Sequence, residues 1–209
     1  MKSWIIQPPT FVRRLFANSL WRLSEGGKRL ALTFDDGPVP EHTIWILDTL
    51  DKYGVKATFF CVGDNVRKYP ALFDEIVRRG HTIGNHTYNH LQLFKTPWGE
   101  YKKNIEKCSL TEGGCAKYFR APHGQMLPWR TGEIAKSMSL NKVVFWDVMP
   151  KDYDKSLTPE EVYKNIRDYV RDGSLIVLHD SIKSGDRMRY ALEHTLEDYS
   201  REGWQFVSL

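Results

Sequence analysis

Five stretches of this chain carry residue types that could act together chemically: LALTFDDGP (30–38), GNHTYNH (84–90), FRAPHG (119–124), WDVMPKDYD (146–154) and IVLHD (176–180). Asp35 and Asp36 stand where an apolar run stops, and the simplest reading of DDGP is a turn, because Asp bonds its own backbone and Gly accepts positive φ. His86 and His90 lie four apart, a spacing that puts both rings on one face of a helical turn. Taken alone, such a pair is more readily a surface or hydrogen-bonded core pair than a ligand set. Together with Asp36 it supplies two imidazoles and a carboxylate. That set suits a catalytic zinc, which takes three protein ligands and leaves one position for water.

The remaining polar residues then acquire roles. Asp35, next in the chain to a ligand, can take the proton of a metal-activated water without binding the ion. His179, closing a late apolar run, can protonate a leaving amine, since an imidazole titrates near neutrality; the competing reading is a structural histidine at a strand end. Arg120 can hold Asp35 through a bidentate contact, or be a surface arginine. Asp152 can bond His179 and keep it charged, with Asp147, Asp154 and Asp180 as competitors. Trp98, Trp129, Trp146 and Tyr153 are candidate stacking aromatics for a ligand, Trp146 having the core as its alternative.

These residues need elements to aim them. The apolar runs LALTF (30–34), ATFFCV (57–62), YF (118–119), VVFW (143–146) and LIVL (175–178), with HTI (81–83), are short and continuously apolar, as expected of strands covered on both faces. Between them lie segments of helical period: HTIWILDTLDKY, PALFDEIVRRG, PWGEYKKNIEKC, TPEEVYKNIRDYVRDG and DRMRYALEHTLEDYSREG. Strand then helix, repeated six or seven times, predicts a parallel sheet with helices outside. In such folds the chemistry gathers at the carboxyl ends of the strands, which is where the polar stretches fall.

The 209 residues are enough for one domain with a full core. Lys plus Arg number 30 against 26 Asp plus Glu, a formal charge of +4 spread along the chain, which gives no basic stripe for nucleic acid. Cys61, Cys108 and Cys115 form neither a disulfide framework nor a C-x-x-C pair and suit a reducing compartment. The start, MKSWIIQPPTFVRRLF, is too short in apolar residues for a signal-peptide core or a membrane span. The expectation is a cytoplasmic protein in which residues 1–27 pack on a catalytic domain at 28–209, contact of Trp4, Ile5, Phe11 and Phe16 with a membrane surface being the alternative. The sequence is silent on oligomeric state.

In order, TFDDGP, GNHTYNH, FRAPHG, WDVMPKDYD and IVLHD resemble the motifs of the polysaccharide deacetylase family, carbohydrate esterase family 4, also called the NodB-homology domain. The resemblance runs from about residue 28 to the end. It implies a distorted (β/α) barrel of about seven parallel strands with outer helices. It also implies one divalent metal, most often Zn2+, and hydrolysis of acetyl groups from N- or O-acetylated sugars of an oligo- or polysaccharide. Position by position it makes Asp35 the base, Asp36, His86 and His90 the ligands, Arg120 the partner of the base, and His179 the acid. Three positions depart from it: Tyr153 follows Asp152 where Trp is common, Met149 replaces an acid, and His123 stands where an aromatic precedes the glycine. These bear on substrate choice more than on catalysis. The alternatives are an amidohydrolase acting on a ureide or cyclic imide, and a glycan-binding protein without catalysis.

Overall fold

The computed structural model describes residues 3–16, 18–108 and 116–209, so Cys115 lies outside the described residues. Eight strands form one sheet among the described residues: β1 (Ser19–Leu20), β2 (Arg29–Asp35), β3 (Thr58–Cys61), β4 (Thr82–Asn85), β5 (Tyr118–Phe119), β6 (Lys142–Val144), β7 (Ser174–His179) and β8 (Gln205–Phe206). Their order is β1-β6-β5-β4-β3-β2-β7, with β8 beside the start of β2, and every ladder is parallel. The two ends of this sheet meet through isolated bridges, Arg22 with Ser174 and Val148 with Ile176. The result is a barrel closed by single pairs on one side, the distorted (β/α) barrel that the sequence predicts.

Nine helices accompany the strands: α1 (Ser3–Ile6), α2 (Thr10–Leu15), α3 (Thr43–Lys52), α4 (Gly63–Lys68), α5 (Pro70–Arg78), α6 (Trp98–Lys107), α7 (Pro128–Ser137), α8 (Pro159–Tyr169) and α9 (Gly185–Arg201), counted among the described residues. Each of the five segments of helical period becomes one of them. Their starts follow local chemistry: Pro70 and Pro159 occupy first-turn positions, where a missing N–H is not needed. Thr158 and Glu161 close a capping box at the head of α8. Strands β2 and β7 are buried along nearly their whole length, and Leu32, Phe34, Ile46, Leu50, Ile176 and Leu192 form part of the main core between sheet and helices. No described helix is long and apolar enough to cross a membrane.

The strand predicted at 143–146 stops early. β6 ends at Val144, because the chain then swings across so that the amides of Asp147 and Val148 donate to the Leu175 carbonyl. This crossing puts Asp147 at the start of β7, against Ser174, with the guanidinium groups of Arg13 and Arg171, and not at the strand-exit face where the sequence pattern suggested it. The segment before β2 is tied in at several points. Ile6 accepts a hydrogen bond from the Met149 amide (2.8 Å). Gln7 donates to the Tyr169 carbonyl (2.9 Å), and Arg13 pairs with Asp147 (2.5 Å).

Candidate active site

Register decides which side chains can meet. In the β2–β7 ladder Asp35 stands opposite His179, and in the β2–β3 ladder it stands opposite Phe60. Asn85, the last residue of β4, stands opposite Cys61 and Phe119. One step beyond these ends come Asp36, His86 and Arg120, so four strands deliver their polar residues to the same rim. A slip of one residue in any ladder would turn these side chains to the opposite face.

At that rim Asp36, His86 and His90 offer one ligand atom each, all within 4.8 Å of one another. His90 Nε2 is 3.1 Å and His86 Nε2 3.7 Å from Asp36 Oδ1. The His86 Nδ1–H donates to the Arg120 carbonyl at 2.8 Å, which fixes the proton on Nδ1 and leaves the Nε2 lone pair facing the cluster. Burial lowers the His86 pKa to about 4, outweighing the nearby carboxylates, so the ring is neutral at pH 7, the form that binds metal. Burial alone would raise Asp36. The close approach of His90 and the electrostatic pull of the surrounding histidines, His179 foremost, outweigh it and hold the carboxyl well below the usual range. Asp36 Oδ1 is itself buried and lacks a well-aligned hydrogen-bond donor. Three converging donors, one neutral by burial and one anionic, fit a divalent cation of the zinc class.

The histidines do not sit on a helical turn. Residues 86–90 follow β4 as a loop, in which Thr87 (φ 64°) and His90 (φ 55°) adopt left-handed backbone, and Asp36 (φ 92°) has positive φ on the facing turn. Such conformations cost of order 1–3 kcal/mol each and persist where surrounding contacts impose them. Here the contacts are visible. The Thr87 amide donates to Asn85 Oδ1 (2.8 Å), and the Gly63 and Asp64 amides donate to the carbonyls of Thr87 and Tyr88. From α6, Asn104 Oδ1 accepts from the amides of Tyr88 (2.9 Å) and Asn89 (3.0 Å). Asn104 does not stand out in the sequence; its one signal is a polar amide inside an otherwise charged amphipathic helix.

Beside the ligand cluster lie two carboxylate-anchored groups. Asp35, 4% exposed, accepts from Arg120 Nη1 at 2.6 Å and lies 4.0 Å from His86 Nε2. The contact is not bidentate. Arg120, wholly buried, also donates to Thr33 Oγ1 (2.8 Å) and, through Nη2, to the Phe145 carbonyl (2.8 Å), with its guanidinium over the Phe60 ring. Across the rim, Asp152 receives both the His179 amide and the His179 Nδ1–H at 2.7 Å. Burial pulls the imidazolium down, but Asp152, Asp36 and Asp35 outweigh it and raise His179 to about 10. Of Asp152's three competitors, Asp147 is taken up by arginines, Asp154 by Lys151 and Ser156, and Asp180 by the Gly37 amide (2.7 Å).

Asp35, Asp36, His86, His90 and His179 line one cleft of about 810 Å3. Trp146 and Tyr153 line it as well, Tyr153 standing edge-on to His179. Trp146 also packs on the core, and Gly124 is needed because a Cβ there would come within 2.4 Å of its ring. His123 (φ 57°) reaches the cleft with its ring 4.7 Å from that of His90. Trp98 and Trp129 do not reach it. Trp98 bonds Glu133, and Trp129 is 71% exposed.

The family profile for polysaccharide deacetylases matches residues 23–143. A peptidoglycan-N-acetylglucosamine deacetylase of Bacillus cereus is 34% identical over 191 residues, covering 86% of this chain and 66% of its own length. A peptidoglycan-N-acetylglucosamine deacetylase, PgdA, of Listeria monocytogenes is 32% identical over 186 residues, covering 87% of this chain; here the chain spans only 38% of that relative. A crystal structure of a peptidoglycan N-acetylglucosamine deacetylase bound to a naphthalenyl N-oxidanyl-benzamide superimposes with a TM-score of 0.84 at 32% identity, covering 96% of this chain and 94% of that one. With the profile spanning more than half of the sequence and the fold matched nearly end to end, this chain belongs to the polysaccharide deacetylase family.

Proposed function

We propose that the protein is a metal-dependent hydrolase that removes the acetyl group from N-acetylglucosamine units of a peptidoglycan-like glycan. The observation that carries this reading is the convergence of Asp36, His86 and His90, within 4.8 Å, beside a carboxylate held by Arg120 and an imidazole held by Asp152. The named relatives support the substrate class. Asp36, His86 and His90 hold the ion, and zinc is the metal their donor set favours. When bound, the cation supplies Lewis acidity toward the amide carbonyl and makes nearby water more acidic.

The chain's own groups perform the proton transfers. Asp35 accepts the proton of the attacking water while the Arg120 N–H on its Oδ1 holds the carboxylate in place. His179 is charged at neutral pH and bonded through Nδ1, so its Nε2–H is the proton given to the departing nitrogen as the C–N bond breaks. The products are acetate and a free amino sugar. One base that must be ionised and one acid that must be protonated predict a bell-shaped pH profile. Elemental analysis of purified protein, followed by acetate release from peptidoglycan, chitin and acetylated xylan fragments, tests the proposal. The expected outcome is about one zinc per chain and release from peptidoglycan fragments, lost with a chelator and restored by the ion. Metal-loaded protein that releases no acetate from any of the three would overturn it.

A further inference from the structure

We infer that the segment before β2 supplies a second subsite, in which Trp4 is a platform for a pyranose ring adjacent to the one being deacetylated; this rests on the function proposed above. Asp35, Asp36, His86, His90 and His179 all line the cleft. On the same cleft stand Trp4, Ile5, Pro8, Pro9 and Val12 from α1, α2 and the turn between them. These residues lie ahead of position 23, where the family profile begins.

The wall is fixed, not draped. Ile6, 4% exposed, is the buried anchor, and its carbonyl is held by the amide of Met149, itself a cleft residue. Gln7 is tied to α8 and Arg13 to Asp147. Two prolines restrict the backbone between these ties, which lowers the ordering entropy that binding would otherwise cost. Beneath, Phe16 and Trp21 pack on Phe145, the stacked Trp21–Phe145 pair lying 4.2 Å apart. With Ile6 facing inward, Trp4 is left 65% exposed at the edge of the cleft.

An anchored backbone carrying an exposed indole over a cleft suits a ligand with an apolar face and polar edges. A pyranose is such a ligand, since its C–H faces stack on aromatic rings while its hydroxyls remain in water. The cleft volume, about 810 Å3, is toward the upper end of the usual range for ligand sites and exceeds what one sugar at the metal cluster fills. The neighbouring unit of a chain whose acetamide reaches Asp36, His86 and His90 is therefore the group that meets the wall.

The test compares W4A and W4F with wild type on N-acetylglucosamine monomer and tetramer. It uses kcat/KM of the metal-loaded enzyme, and calorimetric affinity of the metal-free protein for the tetramer. W4A should lower tetramer kcat/KM and tetramer affinity about tenfold, change the monomer less than twofold, and leave the melting temperature unaltered, while W4F keeps most of both. Equal losses on monomer and tetramer, or an unchanged tetramer affinity in W4A, would overturn the platform. If metal-loaded wild type releases no acetate but its metal-free tetramer affinity still falls in W4A, the subsite stands and the proposed activity fails.

Discussion

Neighbours in sequence can do different work when their backbone turns between them. Asp35 is the last residue of β2 and Asp36 the first of a turn at positive φ, so one carboxylate faces Arg120 and the other faces the histidines. D36A and H86A should therefore purify with little metal and no activity, whereas D35N should retain the ion and lose about 10²–10⁴-fold in kcat; metal content by mass spectrometry beside initial rates separates the two cases. The proposed acid behaves differently. His179 is raised to about 10 against the pull of burial by Asp152 first and then by Asp36 and Asp35. Removing the Asp152 charge lowers that pKa, so the alkaline limb of the rate profile should move to lower pH in D152N. A limb that stays in place would dissociate Asp152 from the acid. At this scale the sequence was highly legible, because the chemistry demands particular residue types at strand exits. It was less so for Arg120, whose fork is divided among Asp35, Thr33 and Phe145, partners that only the folded barrel brings together.

Elements explain how a loop can present two ligands without helical periodicity. The histidine loop is clamped from three sides: by Asn85 at the end of β4, by the start of α4, and by Asn104 in α6. N104A should leave the barrel folded yet weaken zinc binding by about 10–100-fold, as loss of an outer support does at metal sites; competition with a chromogenic chelator measures it. An unaltered affinity would mean that the loop is held adequately by β4 and α4. The four-residue spacing of His86 and His90 suggested a helix, and the left-handed Thr87 and His90 replace it, a solution no periodicity reveals. Helices α4 and α7 were also hidden. The first is six mostly polar residues with only Gly63 buried, and the second buries just Thr131 and Ile134, too few apolar positions to establish a period. The long strands and the amphipathic helices were readable because each buries a full face.

Over the whole molecule, closure depends on contacts between residues far apart in the chain. Asp147, wholly buried, accepts from Arg171 (2.8 Å) and Ser174 (2.7 Å) and pairs with Arg13, joining α2, the chain after β6 and the start of β7. The sequence placed it among the strand-exit acids because nothing local indicates that its partners come from α2 and from the start of β7. Burial raises its pKa, but the bonds from Arg171 and Ser174 and the charges of Arg13 and Arg171 bring it to a net value below normal. A depressed folded pKa contributes stability above the unfolded value, near 3.9, and loses it as pH falls through the folded one. D147N should therefore lose about 3–5 kcal/mol at pH 7, the usual consequence of breaking a buried pair. The gap from wild type should narrow on acidification below pH 4, which urea unfolding at pH 7 and pH 3 measures.

A cylinder joined by two single pairs along one side cannot be equally stiff around its circumference. Asp36, His86 and His90 follow β2 and β4, in the uninterrupted arc of ladders, whereas Met149 and Tyr153 follow the crossing at Val148, which is bridged to β7 by one pair. Thermal breathing should concentrate at that join, with the amides of Val148 and Val177 exchanging with solvent sooner than those of Phe34 and Phe59. The slack then falls beside Met149 and Tyr153 and not among Asp36, His86 and His90. The distances among Asp36, His86 and His90 should stay as they are while that join opens and closes.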